Sequence, residues 1–299
     1  MQGYFFWRYI LNYIIFDLEW NTAYNYASNH PLNEIIEIGA VKLDSKLNIV
    51  DTFKQLIKPT VSKKLTGRCK SITGITNEQL TNEGVPFEAA LKDFSRWSGR
   101  ENSIFMSWSN SDLYALCANF KAFLGTYEID FIKKYCDVQK YCMSFIENEE
   151  NNNQIALSKC AEIFEINVDP EKLHRALFDC YVTAECIKKV YDREKLKDYI
   201  TDCDCAFFNR LMYKPWFITE AKTENFDLEC VDVFCPECNS KLNIIRRFGN
   251  INNTFKNIGK CKECKMKYWV YIRAKKTYDD VLISAHCVKM NSKRAKRIK

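Results

Sequence analysis

The chain has 299 residues, 47% of them hydrophobic and 14% aromatic, which suits one sizeable folded domain plus a smaller one and excludes a disordered protein. Its fifteen cysteines are irregularly spaced outside one cluster, and its apolar start lacks the basic segment and cleavage site of a secretory signal. No other stretch of the sequence approaches the roughly 18 consecutive apolar residues of a membrane helix. We therefore expect a soluble, cytoplasmic protein with no membrane partner, whose cysteines are thiols or metal ligands.

The positive charge is concentrated towards the end of the sequence. The formal net charge is +6, but residues 229–299 hold 17 Lys and Arg against 6 Asp and Glu, whereas residues 1–228 hold 27 against 32. This asymmetry favours a polyanionic partner for the C-terminal part. The alternative is a solvated, basic segment that only improves solubility.

The apolar pattern predicts strands over 13–20, 34–44, 49–59 and 104–109, and helices over 86–99, 112–120, 153–166 and 175–191. A hairpin turn is expected at 45–48, and Thr76 is expected to cap a short helix. This order indicates an α/β fold, with helices flanking a mixed sheet. We expect a first domain at 1–199, a linker at 200–228, a small module at 229–285 and a basic tail at 286–299.

Four acids and one histidine stand out by their positions. Asp17 and Glu19 end the first strand on the same face, because side chains alternate along a strand. Asp112 begins a helix directly after a strand, and His174 lies five residues before Asp179 near another helix start. Each has an ordinary interpretation: a solvated strand end, a charge favoured by the helix dipole, a loop histidine. Together they favour catalysis, since two adjacent carboxylates are destabilising unless a cation lies between them.

Three motifs carry a resemblance to a known family: FDLE at 16–19, SWSNSD at 107–112 and HRALFD at 174–179. In this order and at these separations they resemble the DEDDh exonucleases of the RNase H-like fold. NEIIEIGAV at 33–41 and ITGIT at 72–76 are similar to the branch of RNase T and the histone-mRNA stem-loop 3′-exonucleases. The resemblance covers about residues 12–192.

The resemblance implies a 3′–5′ exonuclease that uses two Mg²⁺ or Mn²⁺ ions and removes nucleoside 5′-monophosphates from single-stranded 3′ ends, with RNA favoured over DNA. Asp17 would bridge the two ions, Glu19 and Asp179 would hold the one that carries the attacking water, and Asp112 would support the other. His174 would take the proton from that water. Hard divalent ions prefer such oxygen ligands and stabilise the charge that develops on phosphate.

The same resemblance implies a site for the terminal nucleotide at Leu18, Trp20, Ile75 and Trp108, although ordinary core packing explains these residues equally well. It also suggests that Glu37 lies near the terminal sugar. One position departs from the family, where relatives commonly have glycine and this chain has Ser109. That change puts the local backbone conformation in question but removes no ligand.

A second cluster is formed by two CxxC pairs, Cys235 with Cys238 and Cys261 with Cys264. Four thiolates at this spacing predict one structural Zn²⁺ in a zinc-ribbon module, with redox-active pairs as the alternative. Basic and aromatic residues of the module, Arg246, Arg247, Lys267 and Trp269, are predicted to bind nucleic acid. A protein-docking ribbon is the alternative to nucleic-acid binding.

Two other functions stay open from the sequence. One is a DNA exonuclease of the proofreading or repair type. The other is a non-catalytic adaptor that binds nucleic acid or protein, which the ribbon favours and the intact set of five residues disfavours. The sequence predicts no oligomeric state.

Overall fold

A computed structural model describes residues 12–99, 103–146 and 154–290. The chain divides into two compact units, residues 1–212 and 213–299, which are described separately. The N-terminal residues 1–11, the loop predicted within 147–153 and the basic tail from 291 onwards lie outside the described residues. Among the helices that are described, none has the length and apolar character needed to cross a membrane.

The first unit is built on a mixed sheet with the order β3-β2-β1-β4-β5-β6. Its strands are β1 (Asn12–Asn25), β2 (His30–Asp44), β3 (Ile49–Leu56), β4 (Ser103–Ser107), β5 (Lys134–Asp137) and β6 (Ile200–Asp202). Strand β1 is antiparallel to β2 and parallel to β4, so it lies at the centre of the sheet. The predicted α/β fold, with a mixed sheet and flanking helices, is confirmed.

Helices cover both faces of this sheet. They are α1 (Gly67–Thr73), α2 (Asn77–Asn82), α3 (Phe87–Ser98), α4 (Asn110–Leu124), α5 (Val138–Met143), α6 (Leu157–Ile163), α7 (Ala176–Lys189), α8 (Arg193–Lys197) and α9 (Cys205–Met212). The side chains of β1 alternate between two cores: Ile14, Phe16 and Leu18 pack with α3 and α4, whereas Tyr13 and Ile15 pack with α7. By the same alternation Asp17 and Glu19 face the side of α7.

Helix α7 approaches the sheet closely at Gly39, which is opposite Asp17 in the β1–β2 register. A Cβ atom at residue 39 would lie 2.1 Å from the backbone nitrogen of Leu177, so any side chain there would displace the helix. The thiol of Cys180 donates a hydrogen bond to the carbonyl of Gly39 at 3.3 Å. The first turn of α7 is therefore fixed against β2, the strand next to the one that carries Asp17 and Glu19.

The second unit has its own sheet and its own core. Its strands are β7 (Trp216–Phe217), β8 (Lys222–Thr223), β9 (Phe226–Asp227), β10 (Asn243–Ile244), β11 (Gly249–Ile251), β12 (Thr254–Lys260), β13 (Lys267–Lys276) and β14 (Val281–Lys289). The main sheet has the order β10-β12-β13-β14, with β11 on β12 and β7 on β13. Phe255, Tyr268, Val270 and Ile272 form the centre of its core.

The structure divides the chain differently from the predicted domains. Residues 200–228, expected to be a linker, are folded: β6 extends the first sheet, and Phe208 of α9 is buried in the first core. Ile218, Phe226 and Leu228 are buried in the second core. These segments are too short to show periodicity, and the same reason hides β5 and α5. At the other end β14 continues to Lys289, past the expected boundary at 285.

Candidate active site

The predicted acids and histidine converge on one cavity of about 560 Å³ in the first unit. Its lining includes Asp17, Glu19, Asp112, His174 and Asp179. One carboxylate oxygen each from Asp17, Glu19 and Asp179 lie within 4.8 Å of one another. The strand β1, the start of α4 and the start of α7 thus bring together residues that are up to 162 positions apart in the sequence.

Asp112 reaches the cavity from the first turn of α4. Ser109 caps this helix, and its hydroxyl accepts a hydrogen bond from the amide of Ser111 at 3.2 Å. The backbone of Ser109 is extended, with φ −142°, so the position needs no glycine. The carboxylate of Asp112 accepts a hydrogen bond from the amide of Leu18 at 3.1 Å, between the two acids of β1.

His174 lies on the loop before α7, one residue ahead of the cap at Arg175. It has a positive φ of 64°, which turns the chain sharply before the helix begins. Its amide donates a hydrogen bond to Oδ2 of Asp179 at 3.1 Å. Five steps along a regular helix would place the two residues on different faces. The loop conformation removes that difficulty and brings both to the cavity.

Glu37 has a different position from the one suggested by the resemblance. It is completely buried and accepts two hydrogen bonds from the guanidinium of Arg175, at 2.9 and 3.2 Å, and one from the amide of Ala176. It is absent from the cavity lining that the structure describes. Glu37 is therefore a structural anchor for the start of α7, and the expectation of a sugar contact is wrong.

Burial and mutual repulsion make the acids unusually weak. Burial, with the carboxylates of Asp112 and Asp179 adding to it, raises the pKa of Asp17 well above its ordinary value. Burial raises the pKa of Glu19 to about 9, that of Asp112 to about 7 and that of Asp179 to about 6. The amides of Leu18 and His174 oppose the shifts at Asp112 and Asp179, respectively. Such a cluster attracts cations strongly.

The donor set fits hard divalent cations. Oδ1 of Asp179 is buried and has no hydrogen-bond partner among the described residues, although a buried carboxylate oxygen normally has one. Asp179 is one of the three residues, with Asp17 and Glu19, that could hold a metal ion together. Carboxylate oxygens in this arrangement suit Mg²⁺ or Mn²⁺.

Three of the four residues predicted to contact the terminal nucleotide line the cavity: Leu18, Trp20 and Trp108. The indole Nε1 of Trp108 donates to the carbonyl of Ile155 at 3.2 Å, which fixes the ring. Ile75, the fourth residue, is not among the residues that line the cavity, so the predicted contact with the nucleotide is wrong. It is 1% exposed and packs with Leu65 and Leu80 in a separate small core.

Ile72 takes the position expected for Ile75, because it is 41% exposed and lines the cavity. The cause is Gly74, whose φ of 68° ends α1 and reverses the chain between the two isoleucines. Arg68, Thr66 and Asn33 also line the cavity and were not predicted. Each is a common surface residue without a motif, so a single sequence carries no signal for it.

The four cysteines of the second unit form a compact cluster, with Sγ atoms within 4.8 Å of one another. The two CxxC loops repeat one geometry. The amides of Cys235 and Cys261 donate to the carbonyls of Ser240 and Met266, respectively, both at 2.9 Å. Asn239 and Lys265, directly after the second cysteine of each loop, have positive φ. Four convergent thiols are typical of the ligand set of a structural Zn²⁺ site.

The other residues predicted for the ribbon separate into two places. Lys267 and Trp269 lie on one face of β13, two residues apart. Arg246 and Arg247 are exposed in the connection between β10 and β11. Phe255 and Tyr268, aromatic residues of the same segment, are buried in the core and cannot contact a ligand.

Comparison with known proteins agrees with the site. Residues 14–187 match the RNase_T family, described as exonuclease. The chain is 32% identical over 182 residues to a PolC-type DNA polymerase III of Thermotoga petrophila, which covers 56% of this chain and 12% of the polymerase. It is 36% identical over 95 residues to a probable 3′-5′ exonuclease, KapD, of Bacillus subtilis, covering 31% of this chain and 45% of KapD. Human ERI1 exoribonuclease 2 is 34% identical over 85 residues, covering 28% and 12%.

Among solved structures, the nuclease domain of 3′hExo, a DEDDh family member bound to rAMP, has a TM-score of 0.51 and 23% identity, covering 60% of this chain and 92% of that one. The likeness shows the shared fold. The chain spans less than half the length of the curated relatives named above. The family match extends over more than half of the chain, and the chain therefore belongs to the RNase_T family of exonucleases.

Proposed function

We propose that the chain is a metal-dependent 3′–5′ exonuclease that removes nucleoside 5′-monophosphates from single-stranded 3′ ends, with RNA favoured over DNA. The observation that carries the proposal is the convergence of four carboxylates and His174 on one cavity. The unpartnered Oδ1 of Asp179 supports it, since that atom is available to an ion.

Two Mg²⁺ or Mn²⁺ ions would be held by the carboxylates of Asp17, Glu19, Asp112 and Asp179. When bound, such ions stabilise negative charge on the attacked phosphate and help generate hydroxide near neutral pH. The protein positions the carboxylates before any ion binds. The amides of Leu18 and His174 orient the carboxylates of Asp112 and Asp179, so little reorganisation is needed.

His174 is the proposed general base. Its ring belongs to an exposed residue that lines the cavity, where it can accept a proton from the attacking water and pass it to solvent. The amide of His174 donates a hydrogen bond to Asp179. The proposed general base and this proposed metal ligand therefore keep a fixed position relative to each other. The Arg175–Glu37 pair fixes the loop from the other side.

The terminal nucleotide would rest on Trp20, Ile72 and Trp108, whose accessible apolar surfaces suit an unstacked base. Leu18 lines the cavity, but its side chain is only 3% exposed and packs in the core, so it offers no such surface. Arg68 in the same lining is a candidate for a phosphate contact. Stacking on apolar and aromatic surfaces is tolerant of the base that is stacked. We therefore expect weak dependence on the identity of the last base.

The preference for RNA rests on relatives. A human exoribonuclease is 34% identical over 85 residues, and the nuclease domain of similar fold was solved bound to rAMP. A DNA exonuclease is the second candidate, because the DNA polymerase of T. petrophila matches over 182 residues. The two candidates differ in their response to the 2′-hydroxyl of the last nucleotides.

Digestion of matched oligonucleotides tests the proposal. Single-stranded RNA and DNA of one sequence, labelled at either the 5′ or the 3′ end, are incubated with Mg²⁺ or Mn²⁺, or with a chelator. We expect 5′-labelled RNA to shorten stepwise, with nucleoside 5′-monophosphate as product and faster turnover than for DNA. Faster turnover of DNA would favour the second candidate. No digestion with any metal would leave a non-catalytic adaptor as the better interpretation.

For the second unit we propose one structural Zn²⁺ held by Cys235, Cys238, Cys261 and Cys264. Hydrogen bonding with Ser240 lowers the pKa of the Cys238 thiol to about 6, which favours the thiolate that a metal requires. Elemental analysis should find about one zinc per chain. A folded second unit that contains no metal would contradict this proposal.

A further inference from the structure

The sheet of the second unit has two chemically different faces. Along β13, Tyr268, Val270, Ile272 and Ala274 are buried in the core. The alternate residues Lys267, Trp269, Tyr271, Arg273 and Lys275 point to the opposite side of the sheet. We call this opposite side, with the residues of β12 and β14 in register with it, the basic face.

Cross-strand register extends the basic face over three strands. One row contains Lys256, Tyr271 and His286, and the next contains Ile258, Trp269 and Val288. The rings of Tyr271 and His286 are stacked, with centroids 4.9 Å apart and planes 12° from parallel. His286 is exposed. The ammonium of Lys256 lies 5.9 Å from the centre of the Tyr271 ring. The rows therefore offer flat aromatic surface beside positive charge.

The charge on these strands has one sign. Strands β12, β13 and β14 contain no Asp or Glu, whereas they hold seven Lys and Arg. Five of the seven lie on the basic face by register: Lys256, Lys260, Lys267, Arg273 and Lys275. The other two, Lys276 and Lys289, lie on the opposite side, where Lys289 is 3.5 Å from Glu237. A binding partner for this face must therefore be an anion.

We propose that the basic face binds single-stranded nucleic acid, with bases stacked on the Tyr271–His286 pair and on Trp269 and phosphates beside the lysines and Arg273. Stacking needs exposed rings and is tolerant of sequence, while the phosphates need cations spread along the strand. An acidic protein would use the charges without requiring two stacked rings. The inference rests on the proposed function in one respect, which is the choice of a single-stranded nucleic acid as the partner. The basic face is a binding site in addition to the acidic cavity.

Binding is measured by fluorescence anisotropy of a labelled 20-nucleotide single strand on the full-length chain. An Asp17→Asn background, without added Mg²⁺ and without chelator, prevents digestion and keeps zinc bound. We expect Tyr271→Ala with His286→Ala to weaken binding by about 10- to 100-fold, from the usual loss of stacking. Tyr271→Phe keeps the ring and should bind as tightly as the parent chain does.

A matched pair of charge variants tests the face itself. Arg273→Gln with Lys275→Gln should reduce the slope of log affinity against log salt by about 1.4, or about 0.7 for each lost contact. Lys276→Gln with Lys289→Gln removes the same charge from the other side and should change the slope by less than half as much. Equal slopes for both pairs, or unchanged affinity after loss of both rings, would overturn the proposal.

Two further measurements separate this inference from the exonuclease proposal. Polyglutamate that displaces the oligonucleotide at equal charge concentration would indicate an acidic protein partner and overturn the inference. Hydrolysis of a small diester, thymidine 5′-(4-nitrophenyl phosphate), by the unmodified chain with Mg²⁺ tests the cavity alone. If the diester is not hydrolysed while ring-dependent binding of the strand persists, the exonuclease proposal fails and the basic face stands.

Discussion

The acidic cavity and the cysteine cluster both gather groups that repel one another as anions, yet they are built in opposite ways. The acids come from one strand and the starts of two helices, which are distant in the sequence and belong to a unit whose sheet is packed on both sides. The cysteines come from two local loops in a unit with a much smaller core. We therefore expect the first site to need a metal for chemistry and the second to need one to fold. Loss of metal should affect the two units differently.

The largest effect is expected from Asp17→Asn, which removes a proposed metal ligand but keeps the shape of the side chain. We expect exonuclease turnover to fall by about 10³-fold or more, by analogy with the loss of one electrostatic contact at a reacting centre. The thermal stability of the metal-free first unit should rise, because Asn replaces a carboxyl group whose ionisation is opposed by burial and by the neighbouring acids. Labelled-strand digestion and calorimetry measure the two effects. Turnover equal to that of the unmodified chain would show that the active site lies elsewhere.

The opposite pattern is expected for Cys235→Ser with Cys238→Ser. Zinc binding supplies about 10–16 kcal/mol in small zinc modules, more than such a core supplies alone. We expect zinc content to fall to zero and peptides of β12–β14 to lose their protection from hydrogen exchange, while β1 and α7 keep theirs. Cys205→Ser, an exposed cysteine of the first unit, is the control. Protection that survives in β12–β14 without zinc would contradict the account.

Gly39→Ala tests how α7 is held. The new methyl group would meet the backbone of Leu177 at 2.1 Å, so the helix must move away from β2. Overpacking of this kind costs about 1–3 kcal/mol, and a shift of about 1 Å in Asp179 and His174 can cost about 100-fold in rate. Urea unfolding and turnover are compared. Wild-type stability and rate would show that the close approach has no functional role.

Ile72 and Ile75 form a natural pair, three residues apart with different surroundings. Ile75→Ala should destabilise the first unit by about 2–4 kcal/mol, because the side chain is buried. Ile72→Ala should change stability by less than about 0.5 kcal/mol and raise the KM for single strands several-fold. Unfolding midpoints and steady-state kinetics distinguish them. A raised KM for Ile75→Ala, together with a loss of stability for Ile72→Ala, would show that Ile75 contacts the substrate instead.

A smaller effect is expected from pH in the metal-free chain. The pKa of Glu19 is 4.5 in the unfolded reference and about 9 in the folded protein, so the folded state keeps a proton that the unfolded state has lost. This contribution to stability is full below pH 4.5 and is lost as pH rises towards 9. Hydrogen exchange of β1 should therefore become faster, relative to its intrinsic rate, as pH rises. Mn²⁺ should remove most of this dependence.

Much of the first unit could be predicted because its chemistry is local. The alternation of β1 places Asp17 and Glu19 on one face, and the need for His174 to precede its helix follows from helix geometry. The exchange of Ile75 for Ile72 depends on the backbone at Gly74, which periodicity does not describe. The role of Glu37 could not be predicted, because its partner Arg175 is 138 positions away.

The second unit shows the same limit. The cysteine spacing predicts the cluster, since four ligands at fixed intervals leave few alternatives. The pairing of Tyr271 with His286 depends on the register of β13 with β14, and the tail prediction placed His286 outside the module altogether. Register is set by packing and by turns along the whole sheet, and a single sequence does not specify it.

The most direct test of the acidic cavity is a Mn²⁺ titration of the full-length chain, followed by calorimetry, in the presence of a nucleoside 5′-monophosphate and with zinc already bound. We predict two Mn²⁺ per chain, release of protons on binding because the acids start with raised pKa values, and loss of the tight sites in Asp17→Asn. Absence of Mn²⁺ binding, or equal binding by the Asp17→Asn variant, would contradict the assignment of the cavity as a two-metal site.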